Sequence, residues 1–147
     1  AVLLIGTSFM SAISCLSIAA VFLVTDRQQT LLVRKQGTTA FMQPGGKIEP
    51  NESPRQAALR EVQEELGIAL ELEEDWGCFH APAANEARTD IEAHVFFARW
   101  NTPLQAHAEL AEIRWVTLEE ALALPLAPLT RDDLLPRWQA WLAQQQA

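Results

Sequence analysis

The chain has 147 residues, a length that suits a single domain with one hydrophobic core. Hydrophobic residues make up 49% of it, five tryptophans are present, and the formal net charge is −8. This composition excludes a disordered chain, and the negative charge excludes the basic surface with which proteins bind DNA or RNA. The same charge would repel a bare polyphosphate, so an anionic substrate is expected to arrive with a cation that neutralises it.

The first 24 residues carry no charged side chain, and the first charge along the chain is Asp26. Length alone would allow a membrane span, but five Ser and Thr residues interrupt the stretch and no Lys or Arg flanks its start. A signal peptide would need a basic start and a cleavage site. We therefore predict a cytoplasmic protein without a membrane segment. A single domain is expected over residues 1–147, with residues 1–14 as a tail or cloning-derived extension and Met10 as a candidate natural start.

The second half of this apolar stretch predicts the first strand of a sheet. Residues 18–24 form an apolar run of the kind found in buried strands, and residues 30–34 form a second such run. The polar residues 26–29 between them suit a turn. The two runs are therefore expected to pair as neighbouring strands.

A glycine pair follows the second strand, where residues 43–47 read Gln-Pro-Gly-Gly-Lys. Two adjacent glycines permit a turn with positive φ, and they let a backbone carbonyl approach a metal ion closely. A plain turn between a strand and a loop is the other interpretation, and the two roles are compatible.

Strong end signals predict a helix at Pro54–Leu66. Ser53 suits the N-cap, Gln56 completes a capping box with it, and Gly67 is a typical C-terminal stop. Pro54 suits the first helical turn. At about 100° per residue, one side of this helix carries apolar residues, namely Ala58, Leu59, Val62 and Leu66.

Glu61, Glu64 and Glu65 fall on the opposite side, where spacings of three and four residues make their side chains converge. Three carboxylates repel one another, and the ordinary explanation is a solvated acidic face. Magnesium and similar hard cations take oxygen ligands and would suit the cluster. Arg60 is expected to neutralise it only in part, because it lies about 100° around the helix from Glu61. An ion pair of Arg60 with Glu52 is expected to hold the preceding loop against the helix.

The remainder of the chain predicts three further strands, at residues 69–80, 91–100 and 112–117. Thr117 is expected to cap a short helix over residues 118–124. A last helix is expected over residues 131–145, disturbed or started afresh at Pro136. Strands, a helix, more strands and further helices indicate a mixed α/β domain and not a repeating βαβ array.

Residues 46–68 resemble the Nudix box, G-x5-E-x7-R-E-U-x-E-E-x-G-U with U aliphatic, at every defined position. The matching residues are Gly46, Glu52, Arg60, Glu61, Glu64, Glu65, Gly67 and Ile68. The resemblance implies the Nudix fold, an α/β/α sandwich around a mixed β-sheet. It also implies a hydrolase in which water attacks a phosphoric anhydride bond with the help of Mg²⁺ or Mn²⁺. The metal ligands expected from it are the Gly45 carbonyl, Glu61, Glu64 and Glu65.

The same resemblance implies a carboxylate from a later loop, acting as a further metal ligand or as the general base. Glu109 is preferred over Glu112, because Glu112 is expected to belong to a strand already. Lys47 and Arg34 are expected to bind phosphate oxygens. The general base is left open among three residues, Glu61, Glu65 and Glu109.

The leading hypothesis is a metal-dependent pyrophosphohydrolase acting on a nucleoside diphosphate-linked substrate, with nucleoside triphosphates favoured by the compact single domain. ADP-ribose or a nucleotide sugar is the alternative, since Pro82 lies 15 residues beyond Gly67, close to where members that cleave ADP-ribose carry a proline. A non-catalytic nucleotide sensor is the alternative of another class. It is disfavoured because such proteins typically lose box glutamates, and this chain keeps them. The expected partner is a nucleotide-type small molecule, with no nucleic acid and no membrane, and the oligomeric state stays open between monomer and homodimer.

Two further groups of residues carry expectations. Cys15 and Cys78 are too few for a disulfide framework, and we expect reduced, buried thiols without a nearby His or Asp. Trp76, Phe79 and Phe41 are expected near the entrance of the substrate cleft, where one of them would stack on a base.

Overall fold

A computed structural model of the protein describes residues 13–146. Its strands are β1 (Ser14–Val24), β2 (Thr30–Lys35), β3 (Gly45–Lys47), β4 (Glu74–Pro82), β5 (Thr89–Arg99) and β6 (Leu110–Val116). Its helices are α1 (Pro54–Leu66), α2 (Leu118–Leu122) and α3 (Leu135–Gln145), and a π-helical segment, Thr130–Leu134, leads into α3. The expectations about Met10 and most of the predicted tail lie outside the described residues.

The strands form one mixed sheet in the order β4-β5-β1-β2-β6, with β3 paired to β1. Strand β1 runs parallel to β5 over its whole length, from Ser14 beside Thr89 to Val24 beside Arg99. The pairs β4–β5, β2–β6, β1–β2 and β1–β3 are antiparallel. Strand β1 is central because residues 19–24 are apolar without interruption, and both faces of a central strand are covered.

Alternating side chains of β1 face two different cores. Val21 and Leu23 pack with Val62 of α1 on one face of the sheet. Phe22 packs with Trp138 of α3 on the other face, at 5.4 Å between ring centroids. Because successive strand residues point to opposite faces, a single apolar run supports helices on both sides of the sheet. The predicted α/β/α sandwich around a mixed sheet is present.

The predicted strand at residues 69–80 is wrong in its first part, since β4 begins only at Glu74. Leu70 and Leu72 nevertheless pack against the core on the α1 face. Their alternation therefore reflects an extended segment lying on the core, without the ladder of hydrogen bonds that defines a strand. Strand β4 also runs two residues beyond the predicted end, to Pro82.

The predicted last helix begins in a different form. Over Thr130–Leu134 the chain is π-helical, with the Leu135 amide donating to the Thr130 carbonyl, and α-helical geometry starts at Leu135. Pro136 lies in the first turn of α3 and has no N–H to donate one turn back. The expected disturbance at Pro136 is therefore present, as a change of helix type.

The two cysteines are exposed, so the expectation of buried thiols is wrong. The pairing of β4 with β5 places Cys78 opposite His94, and the Sγ atom lies 3.7 Å from Nδ1. Nε2 of the same imidazole lies 2.7 Å from Oδ1 of Asp75. The expectation that neither cysteine has a His or Asp nearby is wrong for Cys78, because the neighbours come from a strand distant in sequence.

The expectation of a base-stacking aromatic at the cleft entrance is not supported for two of its three candidates. Trp76 is buried between Phe22 and Phe97, at centroid distances of 5.1 and 5.3 Å, and Phe41 is buried as well. These rings form part of the core on the α3 face. In the described part of the chain, no helix combines the length and the apolar character that a membrane crossing requires.

Candidate active site

Helix α1 has the bounds and the caps that the sequence predicts. The Ser53 hydroxyl accepts from the Gln56 amide at 3.1 Å, and the Gln56 side chain accepts from the Ser53 amide at 2.9 Å. Gly67 ends the helix in the left-handed region at φ 72°, where its N–H donates to the Gln63 carbonyl. These caps stabilise both ends of a helix that presents four titratable side chains within six residues, namely Arg60, Glu61, Glu64 and Glu65.

The three helix glutamates differ strongly in exposure, so they do not form the solvated acidic face that is the ordinary explanation. Glu65 is 2% exposed, the side chain of Glu61 is 12% exposed, and that of Glu64 is 53% exposed. Strand β3 packs beside α1 and covers the side of the helix that carries Glu65 and Ala57. Helical angles alone place Glu65 away from the apolar side, but a neighbouring strand buries it.

The predicted ion pair between Glu52 and Arg60 is present and bidentate. Arg60 Nε lies 2.7 Å from one carboxylate oxygen of Glu52, and Nη2 lies 2.9 Å from the other. Nη2 also donates to the Lys47 carbonyl at 3.0 Å. Hydrogen bonds from Arg60 and from the Glu49 amide lower the pKa of Glu52 to about 2. The pair therefore ties the loop before α1, and the strand before that loop, to the helix.

Arg60 also reaches the glutamates that follow it. Its Nη1 atom donates to Glu61 Oε1 at 2.9 Å and lies 3.4 Å from Glu64 Oε1. Neutralisation by Arg60 is only partial, as expected, because its single positive charge is shared among Glu52, Glu61 and Glu64. Within residues 13–146, no three His, Cys, Asp or Glu side chains already converge as a metal site. Arg60 contacts Glu61 and Glu64, whereas Glu65 accepts from the Gly45 amide, so the three carboxylates do not converge on one point.

The glycine pair lies between β1 and the carboxylates of Glu61 and Glu65. A Cβ atom at Gly45, where φ is 155°, would collide with the Ala19 carbonyl oxygen. A Cβ atom at Gly46 would lie 2.6 Å from the Glu61 carboxylate. The Gly45 amide donates to Glu65 Oε1 at 3.0 Å. Both positions exclude a side chain, so the backbone comes within contact distance of the carboxylates.

Glu65 is the most perturbed carboxyl group of the site. Burial raises its pKa to about 8, against the lowering effect of the Gly45 amide, and the negative charge of Glu61 adds to the rise. Burial likewise raises the pKa of Glu61, while Arg60 opposes that rise. Glu65 Oε2 is buried and has no hydrogen-bond partner among the described residues. A buried, unpaired carboxylate oxygen fits either a proton or a bound cation.

One lysine whose charge acts on these glutamates is a residue that the sequence analysis missed. Lys35 lines the cleft described below, and its positive charge lowers the pKa of both Glu61 and Glu65. Its Nζ atom lies 3.5 Å from Glu109 Oε1. The amide of His107 donates to the carbonyl of Glu65, and this contact brings the Glu109 loop to the end of α1. Glu109, the carboxylate that the sequence analysis preferred in the later loop, therefore lies beside the site.

Arg34, the predicted phosphate ligand on β2, has other contacts. Its Nε atom pairs with Glu112 Oε1 at 3.2 Å, and its Nη1 atom donates to the Thr38 carbonyl at 2.8 Å. Arg34 is absent from the lining of the cleft, whereas Lys35 and the predicted Lys47 are part of it. The pairing of β2 with β6 shifts register between Arg34 and Lys35, so alternation along the sequence could not have assigned their faces.

A cleft adjoins the glycine pair on the face of β1 opposite to α1. Its walls are mostly apolar and come from well-separated parts of the chain, including Leu16, Ile18, Met42, Ile91, Ala127 and Leu129. Residues 82–86, from the end of β4 and the loop after it, also line the cleft, so Pro82 is in contact with it. Gln43 and Thr130 add polar groups to its lining. The cleft thus joins an apolar chamber to the lysines and the glycine pair.

The chain matches the NUDIX domain family over residues 16–138. It is 39% identical over 104 residues to a CTP pyrophosphohydrolase of Escherichia coli (strain K12), covering 67% of this chain and 68% of that protein. It is 34% identical over 115 residues to an ADP-ribose pyrophosphatase of Bacillus subtilis (strain 168), covering 71% of this chain and 60% of that protein. With the second relative, the match spans less than two thirds of the relative's own length.

A solved structure supports the same assignment. The solution structure of the E. coli ORF135 protein superposes with a TM-score of 0.67 at 30% identity, covering 92% of this chain and 94% of that chain. The predicted Nudix fold is confirmed, as is the prediction of a hydrolase family that acts on phosphoric anhydride bonds. The match to residues 16–138 includes the complete box, and this protein belongs to the Nudix family.

Proposed function

We propose that the protein hydrolyses a phosphoric anhydride bond of a nucleoside triphosphate, with Mg²⁺ or Mn²⁺ held by Glu61, Glu64, Glu65 and the Gly45 carbonyl. One observation carries the proposal. Glu65 places a buried carboxylate oxygen without a partner beside a glycine pair that admits no side chain. Oxygen donors of this kind suit a hard divalent cation, which would supply charge neutralisation at the phosphates and acidify a bound water.

The residues of the site have separate roles in positioning and in proton transfer. Arg60 positions Glu61 through its Nη1 contact and positions the glycine strand through Lys47. Glu61 accepts from Arg60 through Oε1, and Oε2 makes no hydrogen bond among the described residues, so Oε2 is available to accept a proton from an attacking water. We therefore favour Glu61 over Glu65 and Glu109 as the general base. Arg60 and Glu52 act as positioning residues.

Substrate phosphates would meet the positive charges at the mouth of the cleft. Lys35 and Lys47 both line it, close to the glycine pair. With a formal net charge of −8 on the whole chain, these lysines and the cation are needed to attract a polyphosphate. The partner proposed is accordingly a small nucleotide in the cytoplasm, and no nucleic acid or membrane. The oligomeric state, monomer or homodimer, is no part of the proposal.

Nucleoside triphosphates are favoured because the relative with the higher identity is named as a CTP pyrophosphohydrolase. ADP-ribose is the second candidate, supported by the contact of Pro82 with the cleft and by the relative named as an ADP-ribose pyrophosphatase. A non-catalytic sensor is the remaining alternative. It is disfavoured because every glutamate of the box is present.

A nucleotide panel tests the proposal directly. The protein is incubated with Mg²⁺ and, separately, with the four ribonucleoside and four deoxyribonucleoside triphosphates, oxidised guanine triphosphate, ADP-ribose and UDP-glucose. Release of pyrophosphate and a nucleoside monophosphate from a triphosphate is the expected result. Turnover of ADP-ribose alone would move the assignment to the second candidate. Nucleotide binding without turnover of any compound would favour the sensor.

A further inference from the structure

Gln43 is a buried polar residue in the cleft, and it precedes the glycine pair by two positions. It is 5% exposed, and its Oε1 atom accepts from the Thr130 hydroxyl at 2.7 Å. Thr130 is itself fully buried at the start of the π-helical segment. This hydrogen bond joins residues 87 positions apart, so it orients the Gln43 side chain from the opposite wall of the cleft.

The other end of the Gln43 amide is unpaired. Its Nε2 atom is buried and has no hydrogen-bond partner among the described residues. A buried N–H group without a partner costs about 1–3 kcal/mol, so a side chain held this way is expected to find an acceptor when the cleft is filled. Glu65 Oε2 is unpaired in the same sense, and Gly45 lies between the two groups along the chain. One ligand could therefore contact a cation at Glu65 with one end and offer an acceptor to the Gln43 Nε2 atom with the other.

The surroundings of Gln43 indicate which part of a ligand it would meet. The walls contributed by Ile18, Met42, Ile91 and Leu129 are apolar. A phosphate or a sugar would need several polar partners there, whereas a flat nucleobase needs apolar faces and a few edge contacts. Two residues span at most roughly 7 Å, so Gln43 lies within about one ribose length of the glycine pair.

We infer that Gln43 is a specificity residue whose Nε2 donates a hydrogen bond to a carbonyl oxygen or ring nitrogen of the nucleobase, and that Thr130 holds the amide in this orientation. The inference rests on the proposed function, because it assumes that a nucleotide fills the cleft. It places the base end of the substrate on the α3 face of the sheet. The phosphate end then lies at Lys35, Lys47 and the glutamates of α1.

The test compares a nucleotide with the same phosphate chain lacking a base. Steady-state kinetics are measured with Mg²⁺ on the triphosphate that the wild-type protein prefers and on ribose 5′-triphosphate. Gln43→Leu removes the donor, and its kcat/KM on the nucleotide is expected to fall roughly 5- to 20-fold, mainly through KM. On ribose 5′-triphosphate the same variant is expected to stay within about twofold of wild type, because no base is present to accept the bond.

Two further variants separate positioning from packing. Thr130→Val removes the hydrogen bond to Gln43 at similar volume, and a smaller loss, roughly threefold, is expected on the nucleotide alone. Leu70→Met alters packing on the α1 face, outside the cleft lining, without removing a polar group, and it is expected to leave the ratio of the two substrates unchanged. Thermal melting of each variant confirms that it is folded.

Equal losses on both substrates would mean that Gln43 supports the glycine strand, and this result would overturn the inference. Unchanged kinetics on both substrates would overturn it as well. If the wild-type protein hydrolysed neither compound, the proposed function would fail separately. Calorimetric binding of both triphosphates with Mg²⁺ would then decide the inference. A selective loss of nucleotide affinity in Gln43→Leu would support it, and unchanged affinity would overturn it.

Discussion

The two faces of the sheet carry the two halves of the site, and they are built in different ways. On the α1 face, the acidic groups and their arginine come from one continuous stretch, and Arg60 contacts Glu52, Glu61 and Glu64 within it. On the α3 face, the cleft is assembled from β1, β5 and several loops, and most of its lining is apolar. The comparison teaches that short spacings bring the residues of the box together, whereas the cleft depends on the packing of distant segments.

The largest expected effect lies on the α1 face. Glu65→Gln keeps an oxygen that can accept from the Gly45 amide, so the protein should fold, but it removes the negative charge proposed to hold the cation. We expect kcat to fall by roughly a thousandfold or more. Glu64→Gln is also expected to lower turnover by orders of magnitude. The exposed Glu71→Gln is the matched control and should retain wild-type kinetics. Near-normal turnover in both site variants would refute the ligand assignment.

A second prediction tests whether activity requires the geometry of the Arg60 guanidinium on the α1 face or only its positive charge. Arg60→Lys keeps the charge but loses the fork that binds Glu52 through two atoms. We expect activity to fall roughly 10- to 100-fold, because Glu61 and the glycine strand lose their alignment. Arg27→Lys on the exposed β1–β2 turn is the control. Equal activity of Arg60→Lys and wild type would show that charge alone suffices.

The third prediction contrasts two neighbours on β2. Lys35→Ala is expected to raise KM for a triphosphate roughly tenfold, because its ammonium group lines the cleft beside the proposed phosphate site. Arg34→Ala should change KM by less than about twofold, since its guanidinium pairs with Glu112 and Thr38. Kinetics at two salt concentrations would check this, with the Lys35 effect shrinking at high ionic strength. The reverse ranking would restore the original expectation for Arg34.

The smallest effect concerns stability and pH in the metal-free protein. Because the pKa of Glu65 is raised to about 8, the folded protein keeps a proton that the unfolded chain loses near pH 4.5. The folded state then binds more protons between these values, so the free energy of unfolding falls as pH rises from about 4.5 to 8, by at most about 1.4 kcal/mol per pH unit.

Urea titrations from pH 5 to 8 check this dependence, and pH-independent behaviour of the wild type would contradict it. Glu65→Gln should flatten the dependence, because its amide does not titrate. The contribution of Glu52 to stability changes with pH in the opposite direction, because its pKa is lowered to about 2. Its contribution to stability is present above pH 4.5 and is lost as pH falls through about 2. Glu71→Gln serves again as the variant that should leave both trends unchanged.

Several features were predictable because they depend on residues close in sequence. The caps of α1 and the pair of Glu52 with Arg60 follow from short spacings. Other features were not. Leu70 and Leu72 alternate like a strand, yet the sheet has no ladder partner for them. Trp76 was expected at a cleft entrance, but it completes an aromatic core built by other strands.

By itself, the sequence determined the family, the chemistry of the box and the bounds of helix α1, since angles about a helix axis and the effects of caps are local. Only the tertiary structure decided that Glu65 is buried, that Lys35 and not Arg34 lines the cleft, and that Gln43 meets Thr130. Whether a side chain is buried, and which face of the sheet it lies on, depends on the distant strands and loops that cover it. No spacing within a single segment contains that information.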